Sequence, residues 1–144
     1  MHDESFYILL GMNWMWVGIG GAAGSILRFY FQSRIQVAFA SAFPWGTLAV
    51  NLAGSAVIGM LAGLFDSLVI PTPARLFLFV GILGGFTTFS AYSLENVNLL
   101  RLGQIRVLLV NVVLSNALGI GLALAGYLLC KVLFRGLGPG AGGP

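Results

Sequence analysis

Four apolar stretches divide the chain, at about residues 6–32, 46–65, 74–98 and 107–130, with short polar or turn-forming segments between them. A bilayer core about 30 Å thick is crossed by about 20 apolar residues in a helix, and each stretch reaches that length. The breaks carry their own signals. Arg28 lies near the end of the first stretch, where its long side chain can snorkel to the interface. Pro44 stops the segment before the second, Trp45 suits a membrane interface, and Asp66 closes that stretch. The turn sequence IPTP precedes the third, and Arg106 and Lys131 flank the fourth. The pattern predicts an all-α membrane protein: one four-helix transmembrane domain over residues 1–135 and a flexible Gly/Pro-rich tail over 136–144.

Polar and small residues inside the apolar stretches are spaced as helix faces. Small residues four apart recur in every stretch, at Gly20/Gly24, Gly59/Gly63, Gly81/Gly85 and Gly119/Ala123, a spacing that lets helices approach closely in lipid. Asn51 and Ser55 share a face of the second helix, as do Asn111 and Ser115 of the fourth, with Asn116 beside them. The third carries Thr87, Thr88, Ser90 and Ser93. An amide or hydroxyl left unpaired in hydrocarbon costs several kcal/mol, so these groups face protein or water. Single residues of this kind serve interhelical hydrogen bonds; a column over three helices is better explained as a polar pathway. Four short helices do not readily enclose a pathway, which points to an oligomer. No acidic residue sits deep in a span, which favours an anion or neutral solute moved passively over proton-coupled cation export.

Composition narrows the alternatives. The chain is 58% hydrophobic and only 8% charged, against about a quarter charged in ordinary globular domains, which argues against a soluble fold. One cysteine and one histidine, His2, leave no basis for a disulfide, a cysteine metal cluster, zinc chemistry or a Ser-His nucleophile, so an enzyme is not expected. The net charge of +3 comes from seven scattered Lys and Arg residues, which form no nucleic-acid face. The start, MHDES, lacks the positive region of a secretory signal, so the first apolar run is expected to be a retained helix. Four spans put both termini on one side, with Arg75, Lys131 and Arg135 there and Arg28, Arg34, Arg101 and Arg106 opposite. So even a balance leaves two readings open: weakly biased insertion, or a dual topology with antiparallel pairing.

Residues 81–95, GILGGFTTFSAYSLE, stand apart from their apolar flanks. Gly84-Gly85 beside Thr87-Thr88 predicts an interruption of the third helix, since glycine weakens a helix interior by about 1 kcal/mol against alanine. Freed carbonyls are hard oxygen ligands, whereas freed helix ends offer N–H groups to an anion. Phe89 and Tyr92 share a face, and an aromatic edge is electropositive. These features point to an anion pathway; packing is the other use of such a stripe.

Three segments, GIGGAAGSILRF (18–29), GTLAVNLAGS (46–55) and GGFTTFSAYSLE (84–95), carry a resemblance that extends from Val17 to Leu129. The chain resembles the CrcB/Fluc family of bacterial fluoride ion channels. The resemblance implies a multi-pass protein of the bacterial inner membrane, an antiparallel homodimer of four-helix subunits with the third helix broken, and two fluoride pores. It implies a structural sodium ion at the dimer interface, held by main-chain carbonyls of Gly84 and Thr87. Pore positions carry over to Asn51, Phe89, Ser115, Asn111 and, near a pore mouth, Arg28. Tyr92 falls where the family has a second phenylalanine, a departure that adds a hydroxyl, and Gly119 interrupts the fourth-helix hydroxyl track. Thr88 and Ser90 add donors for fluoride, and the implied activity is passive fluoride export. A small multidrug-type exporter and a non-conducting membrane scaffold are the rival readings.

Overall fold

A computed structural model of the chain describes residues 3–66, 68 and 70–134, with side chains from residue 13 onward; the expected Gly/Pro tail lies outside the described residues. Among them the fold is all-helical. Helix α1 runs over Asp3–Phe39 and α2 over Trp45–Phe65. The third helix comes in two halves. Its first half, α3, consists of a turn Thr72–Arg75, a π-helical stretch Leu76–Leu83 and a last turn Gly84–Phe86; its second half, α4, is Phe89–Arg101. Helix α5 is Ile105–Leu133.

Three segments are long and apolar enough to cross a membrane among the described residues: Trp45–Phe65, Thr72–Arg101 and Ile105–Leu133. Helix α1 has 37 residues, roughly 55 Å at 1.5 Å per residue, well beyond a bilayer core. It therefore overruns the expected end of the first stretch by several residues. Arg28, expected to snorkel there, instead lies mid-helix and turns inward, its Nε donating to the Gly85 carbonyl at 3.0 Å.

The helices pack as two close pairs, α2 on α5 and α1 on α3. Glycine makes both contacts possible. A methyl group at Gly20 would come within 2.6 Å of the Phe77 carbonyl oxygen, and one at Gly85 within 2.5 Å of the Gly21 carbonyl oxygen. In the other pair, a methyl at Gly126 would meet the Ala56 carbonyl oxygen at 2.6 Å, while Gly59 lies directly against the backbone of Ala123. Backbones this close gain dispersion contacts that replace the hydrophobic drive missing between helices in lipid. The small-residue spacing is thus spent largely within the chain.

Side chains tie the ends. Gln36 clamps the α1–α2 turn, its Nε2 donating to the carbonyls of Ser41 and Phe43 at 3.0 and 3.2 Å and its Oε1 accepting from the Gly46 N–H at 3.1 Å. Trp45 sits against Phe39 and Phe43, with centroids 5.2 and 4.5 Å away. At the other end of α2, the Tyr127 hydroxyl donates to Asp66 at 2.8 Å and accepts from Lys131 at 2.8 Å, joining α2 to α5.

Replacing Gly59 with leucine pushes α2 off α5 and lowers the melting temperature of the detergent-solubilised protein by several degrees, the effect of overpacking worth about 1–3 kcal/mol or more. Gly121→Ala, at a position with no neighbour within 4 Å, leaves it unchanged or slightly raised.

Candidate functional site

The third helix breaks at Thr87 and Thr88, whose backbones are extended (φ −89°, ψ 155° and φ −147°, ψ 119°). The helix runs through Gly84 and Gly85 unbroken and opens two residues later than the glycines suggested. Gly85 is a contact residue, pressed on α1, while the threonines carry the break. Thr87 closes the first half, its N–H and hydroxyl both donating to the Leu83 carbonyl at 3.0 and 2.9 Å. Thr88 opens the second half as an N-cap, its hydroxyl accepting from the Ala91 N–H at 3.2 Å.

Breaking a helix at membrane depth frees backbone groups that must find partners inside the protein. Asn51 of α2 supplies two at once: its Oδ1 accepts from the Thr88 N–H at 2.8 Å and its Nδ2 donates to the Thr88 carbonyl at 3.0 Å. Arg28 of α1 supplies a third, to the Gly85 carbonyl at the negative end of the first half-helix. The Thr87 carbonyl accepts no hydrogen bond among the described residues, and Gly84 is exposed beside it. Main-chain oxygens of this kind suit a hard cation.

Beside the break lies a cavity of about 360 Å³. Asn51, Thr88, Phe89, Tyr92 and Ser115, all expected at a site, line it together, and Gly84 and Thr87 reach it from the break. The Phe89 and Tyr92 rings are 5.7 Å apart at 41°. No acidic residue lines the cavity among the described residues.

Three expected residues stand differently. Arg28 is bound to Gly85 rather than at the cavity wall. Ser90 is exposed next to the cavity, its hydroxyl 3.3 Å from that of Thr88. Asn111 is only 1% exposed; it donates to Asn96 Oδ1 at 3.0 Å and accepts from Ser115 at 3.3 Å, so it touches the cavity only through Ser115. Helical spacing put Asn111 and Ser115 on one face, but the packing of α4 on α5 covers one and leaves the other open.

Several residues that line the cavity were not among the expected site residues, among them Phe79 of α3 and Asn116 of α5, the latter named only as a polar neighbour of Ser115. Phe79 had no polar signal to mark it. Asn116, beside Ser115, did carry one. Also missed was a polar chain that reaches the middle of α4, where Gln32 donates to the Thr47 hydroxyl at 3.0 Å and Thr47 donates in turn to Glu95. A second cavity of about 220 Å³ opens there, lined in part by Gln36, Glu95 and Asn98.

The arrangement defines a class: a multi-pass helical membrane protein in which one span unwinds beside a crevice of neutral polar groups and aromatic rings. Over residues 15–127 the chain matches the family described as CrcB-like protein, Camphor Resistance (CrcB), and it belongs to that family. It is 38% identical over 123 residues to a fluoride-specific ion channel FluC of Magnetococcus marinus, covering 85% of this chain and all of the relative. It is 46% identical over 118 residues to the protein of that name in Aquifex aeolicus (81% of this chain, 95% of the relative) and 43% over 117 residues to that in Thermus thermophilus (81% and 94%). These relatives are ion channels, a non-enzymatic class, and the chain is a multi-pass protein of the bacterial inner membrane.

Asn51→Leu leaves the Thr88 N–H and carbonyl unpaired at membrane depth, a loss on the order of 3 kcal/mol read as a lowered melting temperature in detergent. Asn51→Asp keeps the acceptor for the Thr88 N–H, loses the donor to the carbonyl, and falls between leucine and the native protein.

Proposed function

We propose that the chain is a fluoride channel subunit that lets fluoride leave the cytoplasm passively. The observation that carries this reading is the cavity at the helix break, lined by neutral polar groups and aromatic rings and free of acids among the described residues, in a chain whose relatives are named fluoride-specific ion channels. Fluoride is small and strongly hydrated, and removing its water is costly unless other donors take over. The hydroxyls of Thr88 and Tyr92 and the second N–H of Asn51 are such donors, with Ser90 at the margin and Ser115 joining them when its hydroxyl turns from Asn111 to the cavity; the electropositive edges of Phe89 and Tyr92 add a weak field. A formal cation in the path would hold the ion too long, whereas weak multiple sites let it move on. That fits an arginine spent on the Gly85 carbonyl, from where it biases the region without gripping the ion.

Hydrogen fluoride enters cells uncharged and ionises in the more alkaline cytoplasm. A negative-inside potential then drives the anion outward by about 2.3 kcal/mol per charge per 100 mV, so a selective pore suffices without coupling.

All four helices would span the bilayer, and two subunits would pair antiparallel, giving two pores. Main-chain carbonyls of Gly84 and Thr87 from both copies would hold a sodium ion where they meet. When bound, that ion supplies a fixed positive charge that offsets the carbonyl field at the dimer centre. The exposed Gly84 and the unbonded Thr87 carbonyl support this assignment.

Fluoride efflux from liposomes holding the purified protein tests the reading, with chloride and a cationic dye as controls. Flux of fluoride alone is expected, and Phe89→Ile is expected to abolish it while the protein still migrates as a dimer; unchanged flux removes the ring from the mechanism. Orientation is read separately. Reporters for each compartment fused to the C-terminus are both active if the chain inserts both ways, and a signal on one side only excludes antiparallel pairing of this chain with itself.

A further inference from the structure

The cavity contains a hydroxyl whose direction is set by a residue to which the family resemblance assigned no pore role. Asn116 Nδ2 lies 2.8 Å from the Val112 carbonyl oxygen and 3.2 Å from the Tyr92 hydroxyl oxygen. A carbonyl only accepts, so the group facing Val112 is the amide NH₂, and its second hydrogen is the one directed at Tyr92. The Tyr92 oxygen therefore accepts from Asn116. A phenol O–H prefers the plane of its ring and has two positions there; the Asn116 hydrogen disfavours one. No acceptor among the described residues takes the Tyr92 proton in the other, and both Tyr92 and Asn116 line the cavity.

Resting on the fluoride-conducting reading of this cavity, we infer that Asn116 is a positioning residue that holds the Tyr92 hydroxyl as a hydrogen-bond donor to the passing anion. Phenylalanine at position 92 would offer only a ring edge. Tyrosine adds an oxygen whose lone pairs repel an anion if they face it, so the substitution helps conduction only if the proton is turned inward. Asn116 performs that turn. Its second bond, to Val112 one helical turn back, fixes the amide on α5, so the donor reaches Tyr92 from a rigid support.

The test is a double-mutant cycle on fluoride efflux from liposomes, with the fluoride-over-chloride permeability ratio as a second readout. Asn116→Leu frees the phenol to turn its lone pairs inward and lowers fluoride flux about tenfold, the worth of one hydrogen bond to a charged group, and lowers the ratio with it. In the Tyr92→Phe background the same leucine changes flux less than twofold, because no hydroxyl remains to be turned. Equal losses in both backgrounds, or no loss in either, overturn the inference while native flux leaves the channel reading standing. A native protein that passes no fluoride overturns both. Should Asn116→Leu fail to assemble, infrared difference spectra of the native protein minus Tyr92→Phe supply the answer: the phenol C–O band is expected to shift when fluoride replaces chloride, and an unmoved band overturns the assignment.

Discussion

One amide holds the structure's central exception in place. Asn51 takes the N–H and the carbonyl of Thr88 at once, 2.8 and 3.0 Å away, doing with a side chain what the next turn of helix would have done. Hydrocarbon contains nothing to bond a freed peptide group, so the extended pair Thr87-Thr88 exists only because α2 brings that amide alongside. The opening of a cavity, the exposure of a main-chain oxygen and the placing of two rings all follow from the break that Asn51 sustains.

Bringing Asn51 to Thr88 is in turn a matter of glycine. α2 lies on α5 and α1 lies on α3 at distances where a single methyl would strike a carbonyl. Gly54 faces the Thr87 side chain directly, so the α2 backbone comes up to the break itself. The same closeness lets Arg28 cross from α1 to the Gly85 carbonyl. Two side chains from two helices thus complement the two ends of the break, one at the negative terminus of the first half and one at the N-cap of the second.

Much of this was legible before any coordinates. Apolar length marked the helices, four-residue spacing of small residues marked the contacts, and the segment GGFTTFS marked the interruption. Asn51, Thr88, Phe89, Tyr92 and Ser115 do meet in one cavity. What spacing alone conveyed poorly was depth and direction. Asn111 shares a helical face with Ser115, yet Asn96 of α4 covers it. Arg28 reads as an interfacial residue, yet a carbonyl on another helix claims it. The glycines read as the weak point, yet the helix runs on through both, Gly85 packing on α1 and Gly84 left exposed, and the opening falls on two threonines whose hydroxyls can bond local backbone.

Periodicity and hydrophobicity are properties of a chain and its own backbone, which is why helices, membrane residence and the presence of a weak point could be read from residues in order. A partner for a buried polar group is a property of two segments at once. The chain writes an asparagine at 51 and a tyrosine at 92 without stating what faces them. That Asn51 bonds peptide groups 37 positions away, and that Asn116 bonds the Tyr92 oxygen, emerges when helices separated in sequence pack to within 3 Å or so, because hydrogen bonds act only over that distance and in one direction.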